Sequence, residues 1–147
     1  MRPIKLLSSV FYLGYLPLFP GTWGSLAGVL IYLLANQNKV LYSLITAAVI
    51  GLGFLVCGKA EEIYHRKDPS CVVIDELAGM LIALFLIPSK LFLIIIAFSL
   101  FRFLDILKLG PIKKIEQLKG SKGIMLDDIF AGLMTNVIVH LIALIKI

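Results

Sequence analysis

The sequence predicts an all-α fold: one compact multi-helix membrane bundle over residues 1–147, with short membrane helices arranged as hairpin or re-entrant pairs. Three observations predict it. Sixty per cent of the residues are hydrophobic and the mean hydropathy is +1.01, well beyond globular norms. Uncharged runs occupy 26–38, 40–58, 77–89, 91–101 and 129–145. Proline, glycine and asparagine fall between the runs, where helices must end. Of the runs, 40–58 alone comes near the roughly 20 residues that cross a bilayer unaided. A run of about 12 helical residues covers only about 18 Å, so the others must draw length from their flanks, thin the bilayer or enter part way.

Each element follows from local chemistry. In 1–19, Arg2 and Lys5 precede an apolar stretch as in a signal peptide, but no small-x-small cleavage site follows and Pro17 and Pro20 interrupt it. An interfacial helix with Ser8 and Ser9 on its wetter side is expected. PGTWGS, 20–25, reads as a glycine turn, with Ser25 capping the next helix and Trp23 at the lipid interface. The same turn has a second reading. Gly21 and Gly24 would let backbone N–H groups approach an anion, and Thr22 and Ser25 add hydroxyls.

Runs 26–38 and 40–58 form a hairpin turning at 36–39. Glu62 and His65 make one Glu-x-x-His, a spacing that di-iron bundles use twice, so no di-iron site is expected and His65 is read as a surface residue or as one that supports a neighbouring ligand. Asp68 followed by Pro69 reads as a capped helix start, which puts Asp75 two turns on along the same face. Ala78 and Gly79 let a neighbouring helix approach closely.

Pro88, Ser89 and Lys90 mark a second hairpin tip, dividing 77–101 into two helices. Arg102 and Asp105 lie three apart, on a helical face shared with Leu109, and Gly110 and Pro111 stop that helix. KKIEQLK, 113–119, continues the surface spacing begun by Ile112, with solvated Lys113, Lys114 and Lys119. Gly120 and Gly123 predict a flexible loop around Lys122 that closes over a ligand.

Charge and cysteine content narrow the function. The net charge of +5 comes without an aromatic-basic platform, which argues for anionic lipid and against nucleic acid. Cys57 and Cys71 form no CxxC and read as reduced, structural thiols. Two acidic pairs, Asp75-Glu76 and Asp127-Asp128, stand at the edges of apolar runs. With both hairpins in place they share one side, together with Lys59, Arg66, Lys67, Arg102, Lys108, Lys113, Lys114, Lys119 and Lys122; only Lys39, Lys90 and Lys146 lie opposite. The positive-inside rule makes the acidic face cytoplasmic. Four carboxylates at an apolar boundary raise one another's pKa or require a cation, and an all-oxygen set suits magnesium or manganese over zinc.

PGTWGS at 20–25, DPSCVVIDELAG at 68–79, FRFLDILKLGPI at 101–112 and KGIMLDDIFAG at 122–132 together resemble, in collinear order over about residues 14–135, the phosphatidylglycerophosphatase A family. One position departs from the family pattern: Lys108 is followed by Leu109 where the family has proline. The resemblance implies a Mg2+-dependent phosphatase of the inner (cytoplasmic) membrane, multi-pass, which removes the terminal phosphate of phosphatidylglycerophosphate to leave phosphatidylglycerol.

On that expectation Asp75, Glu76, Asp127 and Asp128 hold one or two metal ions, with Asp105 as a further ligand or orienting group. Either Glu76 or Asp128 is the general base, and Arg102 and Lys108 hold the non-bridging phosphate oxygens. Thr22, Ser25, Asp68 and Lys122 complete a phosphate-binding set. The non-enzyme alternatives are a small ion transporter, since intramembrane acids often mark ion paths, and a structural membrane subunit that binds a cation. Acids bunched at one boundary, away from mid-depth, favour the enzyme. The signatures of two other lipid enzyme classes, a paired basic and histidine motif and the spaced Asp-Gly series of the CDP-alcohol transferases, do not occur in the sequence.

Overall fold

A computed structural model describes residues 1–108 and 110–145, with Pro111 described by its backbone alone. The expectations attached to Leu109 and Lys146 fall outside these residues. The described residues form helices and no strand: α1 (Arg2–Ser8), a 3-10 turn (Leu13–Tyr15), α2 (Pro20–Ala35), α3 (Lys39–Tyr64), α4 (Ile74–Ala83), α5 (Leu91–Leu107), α6 (Pro111–Ile115) and α7 (Ser121–Leu144).

α3 and α7, with 26 and 24 residues, are long and apolar enough to cross a membrane. Run 129–145 reaches that length by extending its helix back through the acidic pair to Ser121. Much of the outer surface is apolar: Leu34, Leu44, Leu55, Leu91, Val137 and Leu141 are each more than half exposed. Both expected hairpins are present. α2 ends and α3 begins across 36–38, and α4 and α5 are separated by 84–90.

α4 is the hub, packed against α2, α3, α5 and α7. It is apolar on nearly every side, as a fully enclosed helix must be, with Ala78, Met80, Leu81 and Ala83 at 0% exposure. Its contact with α7 is backbone-close: a methyl carbon at Gly132 would lie 2.3 Å from the Gly79 carbonyl oxygen, and one at Gly79 would lie 2.7 Å from the Asp128 carbonyl oxygen.

α4 has only ten residues, and its C-terminal end lies inside the bundle together with Leu84 and Ile87 of the irregular chain beyond it. Backbone groups in such a place need partners. The Tyr42 hydroxyl donates to Leu81 O at 2.7 Å, Asn136 Nδ2 donates to Ala83 O at 3.1 Å and Phe85 O at 2.8 Å, and the Tyr32 hydroxyl donates to Ile87 O at 2.7 Å. Leu84 N to Met80 O, Phe85 N to Ile82 O and Ile87 N to Leu84 O, each 3.1 Å, satisfy carbonyls between them. Three polar side chains from α2, α3 and α7 thus make the broken helix tolerable.

Several local expectations are corrected. PGTWGS is not a turn: Pro20 is the first residue of α2, where its fixed φ is favourable, and the glycines face inward and permit close packing. Ser25 is inside that helix, donating to Gly21 O at 2.9 Å, and caps nothing. Ser8 and Ser9 are buried, not wet; the Ser8 carbonyl accepts from Val73 N at 2.9 Å and Ser9 Oγ donates to Lys5 O at 2.6 Å. Asp68 does not cap α4, which starts six residues later. It sits in the left-handed region at φ 47° ahead of a turn. Gly120 to Gly123 is not a free loop, because α7 already begins at Ser121, whose hydroxyl accepts from Gly58 N at 2.7 Å.

Candidate active site

The first turn of α4 supplies Asp75 and Glu76, and the second turn of α7 supplies Asp128. The Gly79–Gly132 contact brings the two helices together at this level. Asp75, Glu76 and Asp128 each present a carboxylate oxygen, and these atoms all lie within 4.8 Å of one another. Asp75 is 5% exposed and Asp128 3% exposed. Asp75 Oδ1, Glu76 Oε2 and Asp128 Oδ1 are buried without a hydrogen-bond partner. Three carboxylates this close, out of water and with oxygens unsatisfied, fit a hard divalent cation by both charge and donor chemistry.

The neighbours of Asp128 on α7 do not join it. Adjacent helical residues point about 100° apart, so Asp127 turns away from α4 and meets Lys108. Lys108 Nζ donates to Asp127 Oδ2 at 2.7 Å and to Glu116 Oε1 at 3.1 Å. Burial alone would lower the pKa of this ammonium, but its bonds to Asp127 and Glu116 outweigh that and hold it above the ordinary lysine value. Lys108 reaches back because α5 ends in a left-handed turn at Lys108 itself, φ 45°, after Leu107.

Arg102 comes from the last turns of α5. Its Nη1 donates to Asp105 Oδ2 at 2.6 Å and stands 3.4 Å from Ser25 Oγ, while its Nε is buried and has no partner. The two residues three apart on α5 therefore form an ion pair, which leaves the buried Nε of the guanidinium without a partner. α2 closes this side through Gly21: a methyl carbon there would lie 2.2 Å from Glu76 Oε1 and 3.1 Å from Arg102 Nη1. Glycine is what leaves room for both side chains.

The expected site residues thus separate into groups. Asp75, Glu76 and Asp128 meet, with Arg102, Asp105 and Ser25 at their border. Asp127 and Lys108 form a neighbouring ion-pair group with Glu116, a residue the motifs did not single out. Asp68 lines a small cleft with Glu116 and Asp127. Thr22 is half-buried in the first turn of α2, and Lys122 is exposed on the first turn of α7. Glu116 was detectable only as an acid eight residues beyond Lys108, a spacing with no meaning until the chain turns at Gly110.

Fold and site define a class: a helical protein of membrane character in which buried carboxylates suited to a divalent cation lie beside a guanidinium suited to phosphate. The sequence profile of the phosphatidylglycerophosphatase A family matches residues 6–143, and the chain belongs to that family of phosphatases. It is 38% identical over 146 residues to the phosphatidylglycerophosphatase A of Haemophilus influenzae, covering 97% of this chain and 90% of that protein. It is 36% identical over 144 residues to the Escherichia coli protein of the same name, covering 96% and 84%. A Bacteroides thetaiotaomicron protein described as a putative phosphatidylinositol-3-phosphatase is 34% identical over 145 residues, covering 91% and 89%. No solved structure matches the chain. The family resemblance read from the four motifs, and the enzyme class it implied, are borne out.

Proposed function

We propose that this protein hydrolyses the terminal phosphate monoester of phosphatidylglycerophosphate, giving phosphatidylglycerol and inorganic phosphate, with Mg2+ as the metal. The observation that carries the reading is the convergence of Asp75, Glu76 and Asp128, with unsatisfied oxygens, next to Arg102, whose Nη1 borders Glu76 at Gly21 and whose Nε has no partner. Asp75, Glu76 and Asp128 would hold the cation. When bound there, it neutralises phosphate charge and lowers the pKa of the attacking water.

The residues of the chain divide the remaining work. Arg102 Nε–H is directed to a non-bridging phosphate oxygen, and Asp105 fixes the guanidinium so that little reorganisation accompanies the build-up of charge. One carboxylate oxygen of Glu76 or Asp128 takes the proton of the attacking water as its oxygen bonds to phosphorus. The bond from phosphorus to the glycerol oxygen breaks, and that oxygen leaves as the alcohol by taking a proton from solvent water, to which the carboxyl group then returns the proton it accepted. Lys108 is engaged by Asp127 and Glu116, so it acts here by holding Asp127 in place.

The enzyme would be multi-pass in the inner membrane. Its acidic end would face the cytoplasm, in accord with the lysine and arginine bias. Purified protein in micelles is tested with phosphatidylglycerophosphate, with and without Mg2+, alongside phosphatidylinositol 3-phosphate. Mg2+-dependent phosphate release that D128N abolishes, with phosphatidylglycerophosphate preferred, is expected. Release equal to the D128N control would end the reading. Topology is tested by a cysteine at Lys90, which should label only from outside.

A further inference from the structure

At the end of the bundle away from the carboxylates, the α2–α3 turn and the 84–90 connection enclose a pocket of about 340 Å³, large enough for a lipid head group. The phosphatase reading makes no use of it. Its walls are tied together in advance: the Tyr32 hydroxyl donates to Ile87 O at 2.7 Å and lies 3.2 Å from Ser89 Oγ. Ser89 Oγ donates to Asn36 Oδ1 at 2.8 Å, and Asn36 Nδ2 donates to Tyr32 O at 2.7 Å. Two separate turns of the chain are thereby locked into one rim.

Among the described residues the rim carries one sign of charge. None of the nine carboxylates of the sequence lies on the α2–α3 turn or on 84–90, and Lys39 stands at the mouth with no carboxylate partner among the described residues. Gln37 is exposed beside it. The floor is aromatic, with the rings of Tyr42 and Phe85 6.0 Å apart and the Tyr42 hydroxyl already committed to Leu81 O. Leu86 at the mouth is 54% exposed, and outside it Leu34 and Leu91 are 76% and 72% exposed and continue the apolar outer surface. A cation and an amide over an aromatic floor, at the margin of a lipid-facing surface, match an anionic group that is attached to hydrocarbon.

We propose that this pocket is a second lipid site, separate from the phosphatase centre, that binds the phosphate head group of an anionic phospholipid in the opposite leaflet. The proposal rests on the membrane reading of the fold and is independent of the phosphatase assignment.

The test uses the full chain in detergent with chelator, so that the carboxylate cluster carries no cation. Native mass spectrometry counts retained phosphatidylglycerol against phosphatidylcholine, with inorganic phosphate as competitor. A photoreactive phosphatidylglycerol then locates the site. One phosphatidylglycerol should be retained in preference to phosphatidylcholine and should cross-link within 84–90. Lys39→Gln should weaken retention about fivefold, the effect of one lysine near an anionic lipid, and Gln37→Glu should weaken it further. Glu76→Gln should leave it unchanged. Equal retention of the two lipids, insensitivity to Lys39→Gln, or cross-linking at 121–128 would overturn the proposal. Displacement by inorganic phosphate at the same concentration as the lipid would show a free-phosphate site and overturn it equally.

Discussion

The α4–α7 contact sets the distance between carboxylates, and Gly132→Ala is the perturbation that tests this. The added methyl carbon would lie 2.3 Å from the Gly79 carbonyl oxygen, whereas ordinary contact begins at 3.4 Å. A backbone carbonyl in a buried helix cannot rotate away as a side chain can, so the helices must separate by about 1 Å. Overpacking of this kind costs about 1–3 kcal/mol in stability. The site suffers more directly, because Asp128 moves away from Asp75 and Glu76, whose oxygens must share one cation. A misplacement of about 1 Å costs on the order of 100-fold in rate.

The assay is phosphate release from phosphatidylglycerophosphate over a Mg2+ titration, with the thermal midpoint measured in parallel. A fall of about 100-fold in kcat/KM is expected, together with a higher Mg2+ requirement, in protein that remains folded at the assay temperature. Gly51→Ala is the control: a methyl carbon there meets nothing within 4 Å, so activity should be unchanged and α3 slightly stabilised. Wild-type activity and Mg2+ dependence in Gly132→Ala would refute the claim that this contact positions the site.

Further predictions follow from other contacts. Lys108→Met strands Asp127, which is 4% exposed, and should cost about 3 kcal/mol; Lys108→Met with Asp127→Asn should recover most of that stability in a urea or thermal melt. Asp128→Asn should abolish Mg2+-dependent turnover yet raise the thermal midpoint in chelator by about 3 °C, since it relieves repulsion worth about 1 kcal/mol; a lower midpoint would argue against a carboxylate cluster under strain. Asn136→Leu removes the donor to Ala83 O and Phe85 O and should lower stability by about 1–3 kcal/mol, with little effect on KM. Arg102→Lys should lower kcat more than it raises KM, because an ammonium cannot hold both Asp105 and a phosphate oxygen in the fixed guanidinium geometry; equal kcat would place Arg102 outside the reacting centre.

The bare sequence determined the helical class, both hairpins, the family and the residues from which the site is drawn. The class and the hairpins follow from long uncharged runs and from breakers such as Pro88, the candidate site residues from acids and cations at the ends of those runs, and the family from the resemblance of four collinear motifs, all of which are local in the chain. Local signals misjudged PGTWGS and Asp68-Pro69, since proline opens a helix as readily as it precedes one, and packing against α4 decides which. Only the tertiary structure decided which carboxylates meet. Asp127 and Asp128 are one pair in the sequence, but the helical rotation of about 100° between them sends one to Lys108 and the other to α4. The roles of Tyr32, Tyr42, Asn136 and Glu116 were likewise invisible, because each acts on a partner between 8 and 55 residues away, and no spacing rule spans a turn whose path is set by packing.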